Sequence, residues 1–364
     1  MHGKPKLSAE TDSLHFIDID IDRKESIPML NDSRLVRPAA VAATLLLASS
    51  LVALPACSQT TSSTSSTDIA SSSASTAEAD SVTFTDDLGR EVTVSNPQRV
   101  VACMGSFAGA WQLAGGTLVG ASDDAFAHYG VDSSAVSGVG KSTALNLESI
   151  LDLDPDFVIM TGISDGKHST GVSQEDMESS LDEAGVPLAF FKVTTFADYE
   201  RMMGIFCQIT GRDDLYQKNV ADVKSQIDED IKTYSVADKA PTVLVVSAYS
   251  KGLVVQNSTG MTGAIVKDLG GVNIADENPS LLSDFSLEAA VEADPDYILV
   301  LAASDDEATA QKYYEDAVGS DSAWADMIAV KEGRVTMLDA AHFLYKPLDK
   351  WAESYEIVGQ ALSK

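Results

Sequence analysis

The sequence predicts an α/β protein of two homologous lobes joined by a long helical connector, with a cleft between them. Three observations carry this. Short apolar runs suited to buried strands alternate with amphipathic segments at strand–helix–strand spacing. The segment Leu147 to Met160 (LESILDLDPDFVIM) returns at Leu287 to Val300 (LEAAVEADPDYILV), an offset of 140 residues with Leu, Glu and Asp-Pro-Asp in place. Between the copies, Phe196 to Tyr234 holds no strand-like run, and Tyr199, Met202, Met203, Phe206 and Ile209 fall at helical spacing.

The first 57 residues read as an address rather than fold. Arg34 and Arg37 precede an apolar stretch from Ala39 to Leu54, which suits a secretory leader and is short for a bilayer span. The stretch ends in Leu54-Pro55-Ala56-Cys57, which looks like a bacterial lipobox and makes Cys57 the expected lipidated residue. Residues 1–28 are polar and acidic, unlike a leader, so translation is expected to start at Met29. Residues 58–80 are rich in Ser and Thr and have nothing large to bury, which predicts a disordered tether.

The body follows as an N-terminal lobe (81–195), the interlobe connector (196–235) and a C-terminal lobe (236–364). It opens with two alternating runs around Asp86-Asp87-Leu88-Gly89, a predicted hairpin. Candidate N-lobe strands are Val100–Met104, Leu118–Ala121, Phe157–Met160 and Leu188–Lys192. Each copy of the repeat reads as a short helix stopped by Asp-Pro and followed by a buried strand. The flanks also recur: Leu113-Ala-Gly-Gly resembles Leu269-Gly-Gly, and Gly185 to Phe191 matches Gly333 to Leu338 in place and pattern. The lobes are therefore Rossmann-like duplicates. Gly211 interrupts the connector, and helical spacing resumes from Leu215 to Ile231.

Charge excludes some functions. The chain has 25 Lys+Arg against 55 Asp+Glu, a formal net charge of −30, and 45% hydrophobic residues among 364. This acidic excess opposes nucleic acid and a polybasic grip on lipid, leaving the lipid on Cys57 as the expected membrane contact. Cys103 and Cys207 read as small buried hydrophobes rather than reactive thiols, with a disulfide between them left open. Ala135 to Ser142 (AVSGVGKS) fits a permissive phosphate-loop pattern, but a polar stretch precedes it where a working loop needs a buried strand. A secreted hydrolase is the alternative class, though no Gly-x-Ser-x-Gly elbow or His-Glu-x-x-His spacing occurs.

Taken together, the lipobox, the tether, the Asp-Asp-Leu-Gly-Arg hairpin, Asn96-Pro97-Gln98-Arg99 and the duplicated Leu-Glu…Asp-Pro-Asp resemble the substrate-binding lipoproteins of ABC importers. The specific branch is the class III periplasmic binding proteins, with a helical backbone, which take ferric siderophores, haem or cobalamin. The likeness runs over residues 81–364, and Tyr345 to Tyr355 is similar to a segment of Gram-positive members. It implies a non-enzymatic, monomeric receptor outside the cytoplasm, a permease dimer as partner, a metal-chelate ligand and no resident cofactor. It also implies that Glu148 and Glu288, one per lobe, dock on permease arginines.

Ligands of open α/β lobes gather beyond the carboxyl ends of the strands. The candidate contacts there are Ser106, Phe107, His128, Tyr129, Lys141, Lys167 and His168 in the N-lobe. In the C-lobe they are Tyr249, Lys251, Met261, Phe285, His342, Phe343, Tyr345 and Lys346. The three histidines of the body, with Tyr129 and Tyr345, are candidate iron ligands if the ligand is haem. So few histidines argue against a receptor for a bare metal ion. An anionic siderophore needs Arg or Lys in the cleft, and the candidates are Lys141, Lys167, Lys251 and Lys346. With few of the body's five arginines in cleft loops, a strongly anionic chelate is less expected than in arginine-rich members.

Overall fold

The computed structural model describes residues 81–162, 174, 177–278, 280–283 and 285–364. Cys57, the tether, Lys167 and His168 lie outside the described residues. Ser81–Thr85 and Glu91–Ser95 form the expected antiparallel hairpin, with Val82 opposite Val94 and Phe84 opposite Val92. Its turn is a clasp. Asp86 accepts hydrogen bonds from the backbone N–H groups of Leu88, Arg90 and Phe190 and from the Arg90 side chain. Arg90 also reaches Glu178 and the Leu188 carbonyl, so the hairpin is tied to strand Leu188–Phe191.

Five parallel strands make the N-lobe sheet, in the order Ser137–Gly138, Leu118–Ala121, Val100–Ala102, Phe157–Thr161, Leu188–Phe191. In the C-lobe, Thr242–Tyr249, Tyr297–Ala302 and Val335–Leu338 are parallel neighbours in the same relative order. The place that Leu118–Ala121 takes in the N-lobe is divided here. Val272–Asn273 pairs with the first two residues of Thr242–Tyr249, and an antiparallel strand, Gly252–Gln256, pairs with the rest.

The repeat is legible in the backbone. Helix Leu147–Leu151 is capped by Asn146, and helix Leu287–Ala293 by Ser286. Both copies then turn through an aspartate at positive φ, Asp154 at 47° and Asp294 at 38°. The second aspartate of each Asp-Pro-Asp fastens the neighbouring strand. Asp156 accepts from the N–H groups of Gln98 and Arg99, and Asp296 accepts from the N–H and hydroxyl of Thr242. The matched glycines Gly185 and Gly333 also share a positive φ, of 72° and 67°, a conformation open to glycine at little cost.

The connector forms helix Phe196–Thr210, whose Thr195 and Asp198 make a capping box and whose end is Gly211 at φ 67°. A second helical stretch runs from Asp213 to Tyr234 and includes a π turn at Gln217–Ala221. Alternate strand residues face opposite sides of each sheet. One apolar core takes Val100, Phe157 and Phe191 from the N-lobe, Phe206 from the connector, Val243 and Leu299 from the C-lobe, and Trp351 and Val358 from helix Trp351–Leu362. The other faces form two smaller cores, around Val158 and Met160 in the N-lobe and Val246 and Val300 in the C-lobe. Cys103 and Cys207 are buried free thiols in different cores, and burial pushes them up to about 12 and about 11. Gly140–Lys141 pairs antiparallel with Ala144–Leu145, so the phosphate-loop-like stretch enters a small ladder and not a helix.

Burial alone raises the Asp86 carboxyl, but hydrogen bonds from Arg90 and Phe190 and the Arg90 charge outweigh it and hold its pKa below the usual value. A depressed carboxylate stabilises the fold above its unfolded pKa of about 4, and that contribution is lost as pH falls through the folded value. Asp86→Ala strands three N–H groups and removes one of the two carboxylate partners of Arg90, and is expected to cost about 3 kcal/mol. Urea unfolding should show this loss at pH 7, with the gap from the parent narrowing below about pH 4.

Candidate ligand cleft between the lobes

Helix Gly105–Leu113 follows the central N-lobe strand, and helix Asp123–His128 follows Leu118–Ala121. Opposite them, the C-lobe contributes Asp305 after strand Tyr297–Ala302 and residues 339–350 after Val335–Leu338. These segments enclose a cavity of about 550 Å³, lined from the N-lobe by Gly109, Gln112, His128 and Tyr129 and from the C-lobe by Asp305, Tyr345, Lys346 and Leu348.

Three contacts set the spacing of its walls. The His128 and Tyr345 rings stack at 4.0 Å between centroids, 21° from parallel. The Lys346 N–H donates to the Tyr129 hydroxyl at 3.0 Å. Leu348 lies against Gly109, where an added Cβ would sit 2.7 Å from Leu348 Cδ1 and 3.2 Å from the Tyr129 ring. Glycine is required here for approach, not for an unusual φ.

The polar groups are poised by their burial. Tyr129 is pushed up to about 12, chiefly by desolvation, with the Lys346 N–H pulling the other way. Tyr345 is also raised, first by desolvation and then by its hydrogen bond to Asp305. Both are neutral phenols at pH 7. Desolvation lowers the Lys346 ammonium pKa, and Asp198 opposes this through space. Among the described residues, no group of three His, Cys, Asp or Glu side chains is placed to hold a metal ion.

Of the residues expected from sequence, His128, Tyr129, Tyr345 and Lys346 come together in this cavity. Others are placed differently. Phe107 is 1% exposed and packs edge-on to Phe191 in the shared core, and Met261 and Phe343 belong to the same core. Each is an apolar side chain on a helix that packs over the sheet, and burial claims it before a ligand can. Ser106 is buried in the first turn of Gly105–Leu113. His342 is taken up at both ring nitrogens, by Asp339 at 2.9 Å and Glu353 at 3.0 Å, leaving none for iron. Lys141 is exposed on the small ladder. Tyr249 and Lys251 flank the turn of the Thr242–Tyr249/Gly252–Gln256 hairpin, and Phe285 packs edge-on to Trp324 on the far face of the C-lobe sheet. Sequence reasoning missed Gly109, Gln112, Asp305 and Leu348. The alternation of strands and helices placed the loops, but only the lobe-to-lobe approach selects these residues.

Glu148 and Glu288 occupy the second position of their helices, are exposed, and make no ion pair or side-chain hydrogen bond among the described residues. Leu, Asp, Pro and Asp of the repeat have structural work in both copies; Glu has none.

Two α/β lobes with strand-end loops facing across a cavity define a binding fold. Residues 100–341 match the family model described as periplasmic binding protein, and the chain belongs to that family. It is 26% identical over 307 residues to the iron(3+)-hydroxamate-binding protein FhuD of Bacillus subtilis, covering 79% of this chain and 88% of that one. Among solved structures, the haem complex of Staphylococcus aureus IsdE aligns with a TM-score of 0.57 and 15% identity, over 73% of this chain and 99% of the other. The vitamin B12 binding protein BtuF of Vibrio cholerae aligns with a TM-score of 0.58 and 17% identity, over 74% and 97%. These structures share the fold. Family membership implies an extracytoplasmic location, a small-molecule ligand and an importer permease as partner.

Gly109→Val forces Leu348 and Tyr129 away and is expected to cost about 1–3 kcal/mol. It should also enlarge the cleft, which small-angle scattering and thermal melting would detect together.

Proposed function

We propose that the protein is the substrate-binding lipoprotein of an ABC importer, anchored through Cys57, that captures an iron chelate of the ferric siderophore class and hands it to the permease. The observation that carries this reading is the convergence of strand-end loops from both lobes on one cavity, walled by His128, Tyr129 and Tyr345. Iron is favoured by the relative named an iron(3+)-hydroxamate-binding protein. Haem is the second reading, favoured by an exposed histidine and two tyrosines that line the same cavity. The protein works as a monomer and performs no chemistry on its cargo. Its lobes share one core with the connector, so the hinge motion on loading is small.

Glu148 and Glu288 are the docking groups in this reading. Both sit in the first turn of a helix, where a carboxylate is favoured, and both are exposed and unengaged. Permease arginines would pair with one from each lobe.

Spectroscopic titration of the purified protein tests the ligand class. Quenching of tryptophan and tyrosine emission by ferric siderophores is expected; a Soret band on adding haem selects the second reading, and a bound corrin spectrum selects cobalamin. Turnover of any bound compound would instead support the hydrolase class. Reversing both charges, Glu148→Lys with Glu288→Lys, should abolish uptake into cells and leave the titration unchanged. Normal uptake by that double variant would refute the docking role.

A further inference from the structure

The arginines of this acidic body are all engaged. Arg90 pairs with Asp86 and Glu178, Arg201 with Asp87, Arg212 with Asp214 and Arg334 with Glu332. Arg99, the fifth arginine, is held by the Leu153 and Asp154 carbonyls. Among the described residues, no arginine lines the cavity. Two lysines of that set do, and they differ. Lys350 is exposed. Lys346 keeps only part of its surface open, and its ammonium makes no ion pair or side-chain hydrogen bond among the described residues. Asp198, whose charge it senses, is occupied by the N–H and hydroxyl groups of Thr194 and Thr195.

A desolvated ammonium with no carboxylate in direct contact is unfavourable. It is more unexpected still in a chain with over twice as many carboxylates as basic residues. We infer that the missing partner is supplied by the ligand: Lys346 receives a single oxyanion, of the carboxylate class, that the cargo presents to the interlobe cavity. The inference rests on the receptor reading above and narrows it. One desolvated ammonium fits one anionic group, and the Asp305 and Asp349 carboxylates lining the same cavity oppose a chelate of several negative charges. The Lys346 backbone is already fixed by its N–H bond to Tyr129, so the side chain starts from a positioned point on the wall.

Matched probes test this on the full chain: two linear ferric trihydroxamates, one ending in a succinyl carboxylate and one in an acetyl cap, together with haem, its dimethyl ester and cyanocobalamin. The parent should bind the carboxylate member of whichever pair it accepts about tenfold or more tightly than the capped member. Lys346→Met should erase that difference, and Lys346→Arg should retain most of it. Without ligand, Lys346→Met should melt at the parent temperature or higher, because a desolvated charge has been removed. Equal affinity within the accepted pair, preference for cyanocobalamin, or a lower melting temperature with unchanged affinities would each overturn the assignment. Binding of none of the five probes would overturn the receptor reading itself and the inference with it.

Discussion

The arrangement depends on an apolar layer that does not stop where one lobe ends. Trp351, at the start of helix Trp351–Leu362, lies against Phe196 and Tyr199 of the connector, with ring centroids 6.1 and 6.5 Å away. The same layer continues to Phe206 and Phe191 on one side and to Val243 and Leu299 on the other. Interiors packed at crystal-like density deform little, so this layer fixes how far apart the two sheets stand. The cleft contacts follow from that spacing. His128 can stack on Tyr345, and Leu348 can press on Gly109, only while it holds.

The duplicated fold was legible in the sequence because its signals are local. Apolar runs gave the strands, and the repeat gave the two copies. The site was legible only in part. His128, Tyr129, Tyr345 and Lys346, polar or aromatic residues after strands, line the cavity. Phe107, Met261 and Phe343 lie in the shared core, and a large apolar residue at a helix end reads alike whether it faces a ligand or a sheet. The pairing of His342 with Glu353 depends on two elements brought together by tertiary packing. The strand Gly252–Gln256, antiparallel to Thr242–Tyr249, has no counterpart in the N-lobe, so the repeat gives no sign of it.

The acidic excess also has a clearer meaning. Part of it is structural: Asp86, Asp156 and Asp296 each organise backbone N–H groups from a distant segment. Another part neutralises the scarce arginines. Among the described residues, that leaves the cavity with no arginine on its wall, and its electrostatic character is set by a small number of residues.

The π turn at Gln217–Ala221 has a geometric consequence for the connector. An extra residue in one helical turn advances the following residues by about 100° around the axis. The apolar stripe carried by Leu215 and Tyr216 is therefore out of phase with that carried by Val223 and Ile227, though all four meet the shared core. Asn219, within the turn, donates to the Leu113 carbonyl at the end of a cavity-lining helix and so locks the offset in place. The phase between the two apolar stripes of this stretch is thus set by the winding of a helix, where a loop would have left it free to vary.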